Sequence, residues 1–119
     1  MSGKAWLLVL AALLGGFYLK YQQRISQYDP RNSTGADGIV MLSAEWCGYC
    51  KALRLELDGM GVDYRELDIE TSEEGELAFQ AVRARGVPVL IVGQEIIRGY
   101  DPGRARELIR AAGHTLTER

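Results

Sequence analysis

Two cysteines three positions apart, in Trp46-Cys47-Gly48-Tyr49-Cys50, are the residues of this chain best suited to covalent chemistry. A thiol becomes a nucleophile only as thiolate, and the first turn of a helix favours that form through its unpaired N–H groups and macrodipole. The apolar run Ile39 to Leu42 ends at Ser43 just before the pair, and an apolar period through Leu53, Leu55 and Leu57 follows it. The cysteines are therefore expected at a strand-to-helix turn, with Cys47 at the helix start and facing solvent. Once Cys47 has formed a mixed disulfide with a substrate, Cys50, one helical turn on, is placed to attack the same sulfur and release the reduced product. Lys51 and Arg54 follow on the same helix, either adding positive potential or serving as solvated surface charges.

Other uses of such a pair fit less well. Structural zinc takes four ligands, and the chain offers only these two cysteines and His114, so a closed intrachain site would need carboxylates. A bridge across so short a loop removes little unfolded-state entropy, which makes a structural staple a poor explanation. Core filling does not call for two cysteines flanking Gly48-Tyr49 at a helix start. His114 lies in a polar tail and is assigned no function.

The elements that must position the pair can be read along the chain. Val62 to Ile69 alternates like a half-buried strand. Thr71 and Glu74 have the spacing of a capping box, opening a helix expected to run to about Arg85. Val87-Pro88 leads into the apolar Val89 to Val92, Gly93-Gln94 is a hairpin turn, and Glu95 to Arg98 pairs back. Asp101-Pro102 is a helix start, and that last helix should stop near Gly113. The order is βαβαββα, an α/β arrangement over residues 38–119 large enough for one modest core. With 119 residues, 47% hydrophobic, 25% charged and a net charge of −2, the chain is globular, and its Lys and Arg are scattered among acids. Nothing in that pattern supplies the electrostatic footprint of a nucleic-acid binder.

Ahead of this domain, Ala5 to Leu19 is fifteen residues without a charge, flanked by Lys4 and Lys20. As a helix extended to about residue 22, with the lysines snorkelling and Trp6, Tyr18 and Tyr21 at the headgroups, it approaches a membrane span. Residues 1–24 are read as a single-pass signal-anchor; a cleaved signal peptide is the rival, disfavoured because only the marginal Leu14-Gly15-Gly16 stands in for an A-x-A-like processing site, and a buried amphipathic helix is the third reading. Residues 25–37 are polar, rich in turn formers and without apolar period, and read as a linker. Positive charges on both sides give no clean topology, and the short tail before the stretch favours a domain on the exported, periplasmic side.

Trp46-Cys47-Gly48-Tyr49-Cys50, Gly86-Val87-Pro88 and Gly99-Tyr100-Asp101 together resemble the three landmark segments of glutaredoxins, in that family's order and spacing, over roughly residues 38 to 112. The resemblance implies a thioredoxin-like fold, a mixed four-stranded sheet with flanking helices, preceded here by the N-terminal apolar helix. It implies that Cys47 is the attacking and Cys50 the resolving thiol, and that the two form the redox-active disulfide. It further implies that Tyr49, Val87, a cis Pro88, Gly99, Tyr100 and Asp101 line the site for substrate or glutathione. On the residues alone, Tyr49 is also a packing residue, Pro88 an edge-strand proline and Asp101 a helix cap. Two family features are absent: Ala44 stands where many glutaredoxins have Lys, and Gly86 where Thr is usual. Asp101-Pro102 at the last motif is closer to glutaredoxin-like redoxins served by thioredoxin reductase.

The expected function is thiol–disulfide exchange on protein disulfides or glutathione mixed disulfides. No cofactor or metal is expected to be bound, and the electron donor is glutathione or a dithiol reductase system. The protein is expected to be a monomer whose partners are disulfide-bearing proteins, glutathione and, through the N-terminal helix, the membrane. Two alternatives come from other classes: a dimer holding an iron–sulfur cluster or zinc through Cys47, and an anchored domain that holds peptides without catalysis.

Overall fold

The computed structural model describes residues 3–35 and 37–117. The elements are α1 (Gly3–Ser26), a 3-10 turn at Pro30–Asn32, β1 (Ile39–Ser43), α2 (Gly48–Met60), β2 (Arg65–Asp68), α3 (Glu73–Ala81), β3 (Val89–Val92), β4 (Glu95–Arg98) and α4 (Pro102–Ala111). The four strands form one sheet in the order β2-β1-β3-β4, with β1 and β2 parallel and the other pairs antiparallel. Central β1 is buried along its whole length, so its sequence is a continuous apolar run rather than an alternation. Ile39 and Met41 face one side, where they pack with Leu90, Val92 and Ile97 against Leu53, Leu57 and Met60 of α2 and Ala105 and Ile109 of α4. Val40 and Leu42 face the other, packing with Leu67, Val89 and Ile91 against Ala78 of α3 and Val82 just beyond it. Helices thus cover both faces, and this mixed α/β sheet is the thioredoxin-like architecture expected.

Gly61 and Gly75 are two positions where the backbone requires glycine. Gly61 ends α2 in the left-handed region at φ 72°. Gly75, in the first turn of α3, lies against the Asp68 carbonyl so closely that a methyl group there would overlap it.

Several boundaries differ from expectation. The second strand is Arg65–Asp68 rather than residues 62–69, because β1 offers it partners only from Val40 to Ser43. The cap of α3 is Ser72, whose Oγ accepts from the Gly75 N–H at 3.1 Å. Thr71 instead donates its N–H to Asp68, and Glu74 pairs with Arg65, so the Thr71–Glu74 capping box does not form. Helix α3 stops at Ala81, short of Arg85, and Arg83 beyond it takes a positive φ of 55°.

Over residues 25–35 the polar segment is more ordered than a linker. Helix α1 continues to Ser26, and its Ile25 is buried while Tyr21 reaches Gln80 of α3. Asp29 caps the 3-10 turn and holds Arg31 through both carboxylate oxygens. Burial pushes the Asp29 carboxyl up, but hydrogen bonds from the Arg31 guanidinium and N–H outweigh it and leave it below the usual range. Pro30 is buried, and Gln94 in the hairpin turn donates to the Arg31 carbonyl at 2.8 Å. Upstream of this docked end, α1 is long and apolar enough to cross a membrane by length and composition.

Candidate functional site

Cys47 is the N-cap of α2. Its backbone is extended, at φ −85° and ψ 109°, and its Sγ accepts the N–H of Cys50 at 3.1 Å. This is the geometry in which a helix terminus stabilises negative charge on sulfur. Cys50 occupies the first turn, and the two are joined as a disulfide with Cα atoms 5.2 Å apart. Cys50 is fully enclosed and Cys47 only 4% exposed, so the outward member of the pair shows an edge rather than a free side chain. Ala44, Ile69 and Val87 complete the apolar nest around the sulfurs.

The remaining residues singled out in the sequence come together at the same end of the sheet. The Val87–Pro88 peptide bond is cis, and the Val87 carbonyl lies 3.7 Å from Cys47 Sγ. Gly99, at φ 104°, donates its N–H to the Pro88 carbonyl at 2.9 Å, tying the end of β4 to the proline loop. Tyr100 leans toward Tyr49 with ring centroids 5.5 Å apart. Tyr49 and Trp46 are about two-thirds exposed beside a buried disulfide, giving it an aromatic rim. Trp46 also hydrogen-bonds Glu70 through its indole N–H. Asp101 uses one carboxylate oxygen to cap α4, accepting from the Arg104 N–H at 3.0 Å.

The charges on α2 divide. Arg54 turns away from the sulfurs into a two-pronged ion pair with Glu66, which also accepts from the buried Ser43 hydroxyl. The Arg54 guanidinium, aided by Ser43, holds the Glu66 carboxyl below the usual glutamate range against a partial burial that opposes it. Asp68 is lowered by the backbone N–H groups of Glu70 and Thr71. Lys51 is exposed and borders a shallow groove with Glu45, Trp46, Asp68, Glu70 and Thr71. Among the described residues, no group of three His, Cys, Asp or Glu side chains is placed to hold a metal ion.

A family model described as glutaredoxin matches residues 39–97, from the first strand through the cysteines and the proline loop into β4. The chain belongs to the glutaredoxin family. A glutaredoxin of Ricinus communis is 27% identical over 75 residues, which are 60% of this chain and 74% of that protein. Among solved structures, a buckwheat glutaredoxin–glutathione complex superposes with a TM-score of 0.63 at 20% identity, over 79% of this chain and 94% of that one. The glutaredoxin-like NrdH-redoxin of Escherichia coli, described as having a thioredoxin-like activity profile, superposes with a TM-score of 0.54 at 24% identity, over 59% and 92% of the two chains. These two structures speak for the fold. Family membership and the Cys47–Cys50 disulfide make this glutaredoxin a thiol–disulfide oxidoreductase in the general sense.

One feature of the site escaped the sequence. Arg83, Arg85 and Arg98 line a groove together with Gly86, Val87 and Gly99, immediately beside the cis-proline loop. In sequence these arginines stand in two separate segments, at 83 and 85 and at 98. Only the pairing of β3 with β4, which sets Val89 opposite Arg98, brings them to one place.

Proposed function

We propose that this glutaredoxin is a membrane-anchored dithiol oxidoreductase in which Cys47 attacks and Cys50 resolves. The observation that carries the reading is the placement of Cys47 Sγ at the α2 cap, accepting the Cys50 N–H and facing the Val87 carbonyl. In the reduced protein the Cys47 thiolate attacks one sulfur of a substrate disulfide and releases the other as a thiolate, leaving a Cys47–substrate disulfide. The Cys50 thiolate then attacks Cys47 Sγ and releases the second substrate thiolate, which takes up a proton. Two electrons and two protons pass to the substrate, and the protein is left with the Cys47–Cys50 bridge. The exposed Gly86, the half-buried Val87 and the rim of Trp46, Tyr49 and Tyr100 suit an extended peptide or glutathione, with Gly99 and the Asp101 cap closing the far side.

An external dithiol, rather than glutathione, is proposed to return the electrons. Ala44 is buried against the cysteines and Gly86 has open space where a side chain would stand. Neither supplies the charge-assisted or hydroxyl hydrogen bond to glutathione that the usual Lys and Thr would, each worth roughly 1–3 kcal/mol. The anchor rests on α1, whose Trp6, Leu7, Leu8, Leu13, Leu14 and Phe17 are all more than 60% exposed and distributed around the helix. A helix apolar on every side needs a lipid or protein environment. The exported side is the expectation, read by a reporter fused at the carboxyl end.

The test uses the full chain in non-ionic detergent. Cys47→Ser should abolish disulfide reduction. Cys50→Ser should accumulate a covalent mixed disulfide with substrate, visible by mass spectrometry and released by dithiothreitol. Efficient glutathione-coupled turnover retained by Cys50→Ser would replace this reading with a monothiol, glutathione-dependent one.

A further inference from the structure

Arg31, Arg54, Arg65, Arg104 and Arg106 each form an ion pair with a carboxylate. Arg83, Arg85 and Arg98 are all exposed and form no ion pair with any described residue, although acids outnumber bases in the chain by 16 to 14. These three are the ones that share a groove with Val87 and Gly99. The Arg98 guanidinium donates to the Val82 carbonyl at 2.9 Å, which holds it over the carboxyl end of α3 where a cation is favourable. Helix termination accounts for Arg98 in part, but not for Arg83 or Arg85. Arg83 also sits at φ 55°, a conformation glycine or asparagine adopts more readily, while its side chain gains no burial there. Asp29, the acid bordering the adjoining groove with Arg83 and Arg98, is already bonded to Arg31.

The groove begins at Val87, whose carbonyl faces Cys47. An extended substrate advancing about 3.3 Å per residue would carry the positions one to four residues from its reacting cysteine across the arginines. We propose that Arg83, Arg85 and Arg98 form a selecting subsite that takes acidic residues flanking the disulfide cysteine of a protein substrate. The proposal rests on the oxidoreductase reading above. Opposite charge at that point raises the encounter rate and fixes the direction in which the peptide lies.

The test needs no electron donor. Full-length protein, reduced and freed of reductant in non-ionic detergent, is mixed with a short peptide disulfide, and its oxidation is followed through Trp46 fluorescence. Asp/Glu-flanked, Asn/Gln-flanked and Lys-flanked versions of that peptide are compared by second-order rate constant. At low salt the acidic peptide should react roughly tenfold faster than the neutral one, and the Lys-flanked one slowest, with the spread shrinking as salt is raised. In Arg83→Gln/Arg85→Gln, and further in the triple variant with Arg98→Gln, the acidic-to-neutral ratio should fall toward one, while lysine at the same positions should keep most of it. The double variant carries the test if loss of the Arg98–Val82 bond impairs folding. Failure of every peptide to oxidise the protein would refute the oxidoreductase reading itself. Oxidation at equal rates by all three, or a ratio indifferent to the variants, would overturn only the acidic subsite. A preference for glutathione disulfide that the variants abolish, with the peptides equal, would assign the arginines to the tripeptide's carboxylates and overturn selection of protein substrates.

Discussion

Reduction of the Cys47–Cys50 bridge should change the stability of the fold only slightly. The bridge closes a loop with a sequence separation of three. The chain-entropy relation gives such a loop about −6 cal/mol/K, or about 2 kcal/mol of unfolded-state constraint at 25 °C. Against it stands what the reduced form gains. A Cys47 thiolate accepting the Cys50 N–H makes a charge-assisted bond worth about 1.5–3 kcal/mol, and the α2 dipole adds about 0.3–1 kcal/mol. Near-complete enclosure of Cys47 takes part of that back by desolvating the charge. The terms nearly cancel, so the oxidised protein should be more stable by no more than about 2 kcal/mol, a melting-temperature difference under roughly 15 °C for a domain of this size. Urea unfolding of both forms in the same detergent, followed by far-ultraviolet circular dichroism, measures the difference. An oxidised form more stable by over about 4 kcal/mol, beyond what so short a loop supplies, would mark the bridge as a staple and refute that balance.

Two further outcomes follow from residues away from the sulfurs. A chain lacking residues 1–20 should keep the domain's unfolding free energy, whereas one lacking residues 1–32 should lose about 1.5–3 kcal/mol with the buried Ile25 alone; equal urea midpoints for the two would show that the α1 end contributes nothing. The lowered Glu66 carboxyl contributes stability that is whole above the ordinary value of 4.5 and disappears as the pH falls through its folded value. Glu66→Gln should therefore flatten the acid limb of the stability profile, by about 0.5–1 kcal/mol given how exposed Arg54 is, and an unchanged limb would count against the pair.

The catalytic end of the fold was legible because its signals are local. Cys47 at a strand-to-helix turn, the Gly93-Gln94 hairpin and the Asp101-Pro102 helix start each depend on a few adjacent residues, and each stands where expected. Legibility failed where neighbours compete or where contacts are distant. Thr71 and Ser72 are both good caps, and the choice fell on Ser72 because Asp68 already holds the Thr71 N–H. Leu55 stands in the apolar run of α2 yet is 73% exposed, since the buried stripe of that helix runs through Leu53, Leu57 and Met60. Over residues 25–35 one apolar residue, Ile25, and one Asp-Pro pair are enough to dock a chain that composition marks as loose. Cys47, expected to face solvent, is nearly enclosed, because the proline loop against it lies forty residues away in sequence.

That docking changes what kind of attachment α1 provides. A polar leash would let the domain sample a hemisphere around its anchor point, with reach growing as the square root of linker length. Here one unbroken helix of 24 residues, about 36 Å long, ends directly on α3. On the anchored reading, the disulfide then stands at a set height and azimuth above the bilayer and moves only as the helix tilts and turns. A partner embedded in the same membrane with its cysteines at the matching height would meet the site at high effective concentration, and one at the wrong height would scarcely meet it. Geometry would then choose substrates before any contact with Tyr49 or Val87 is made.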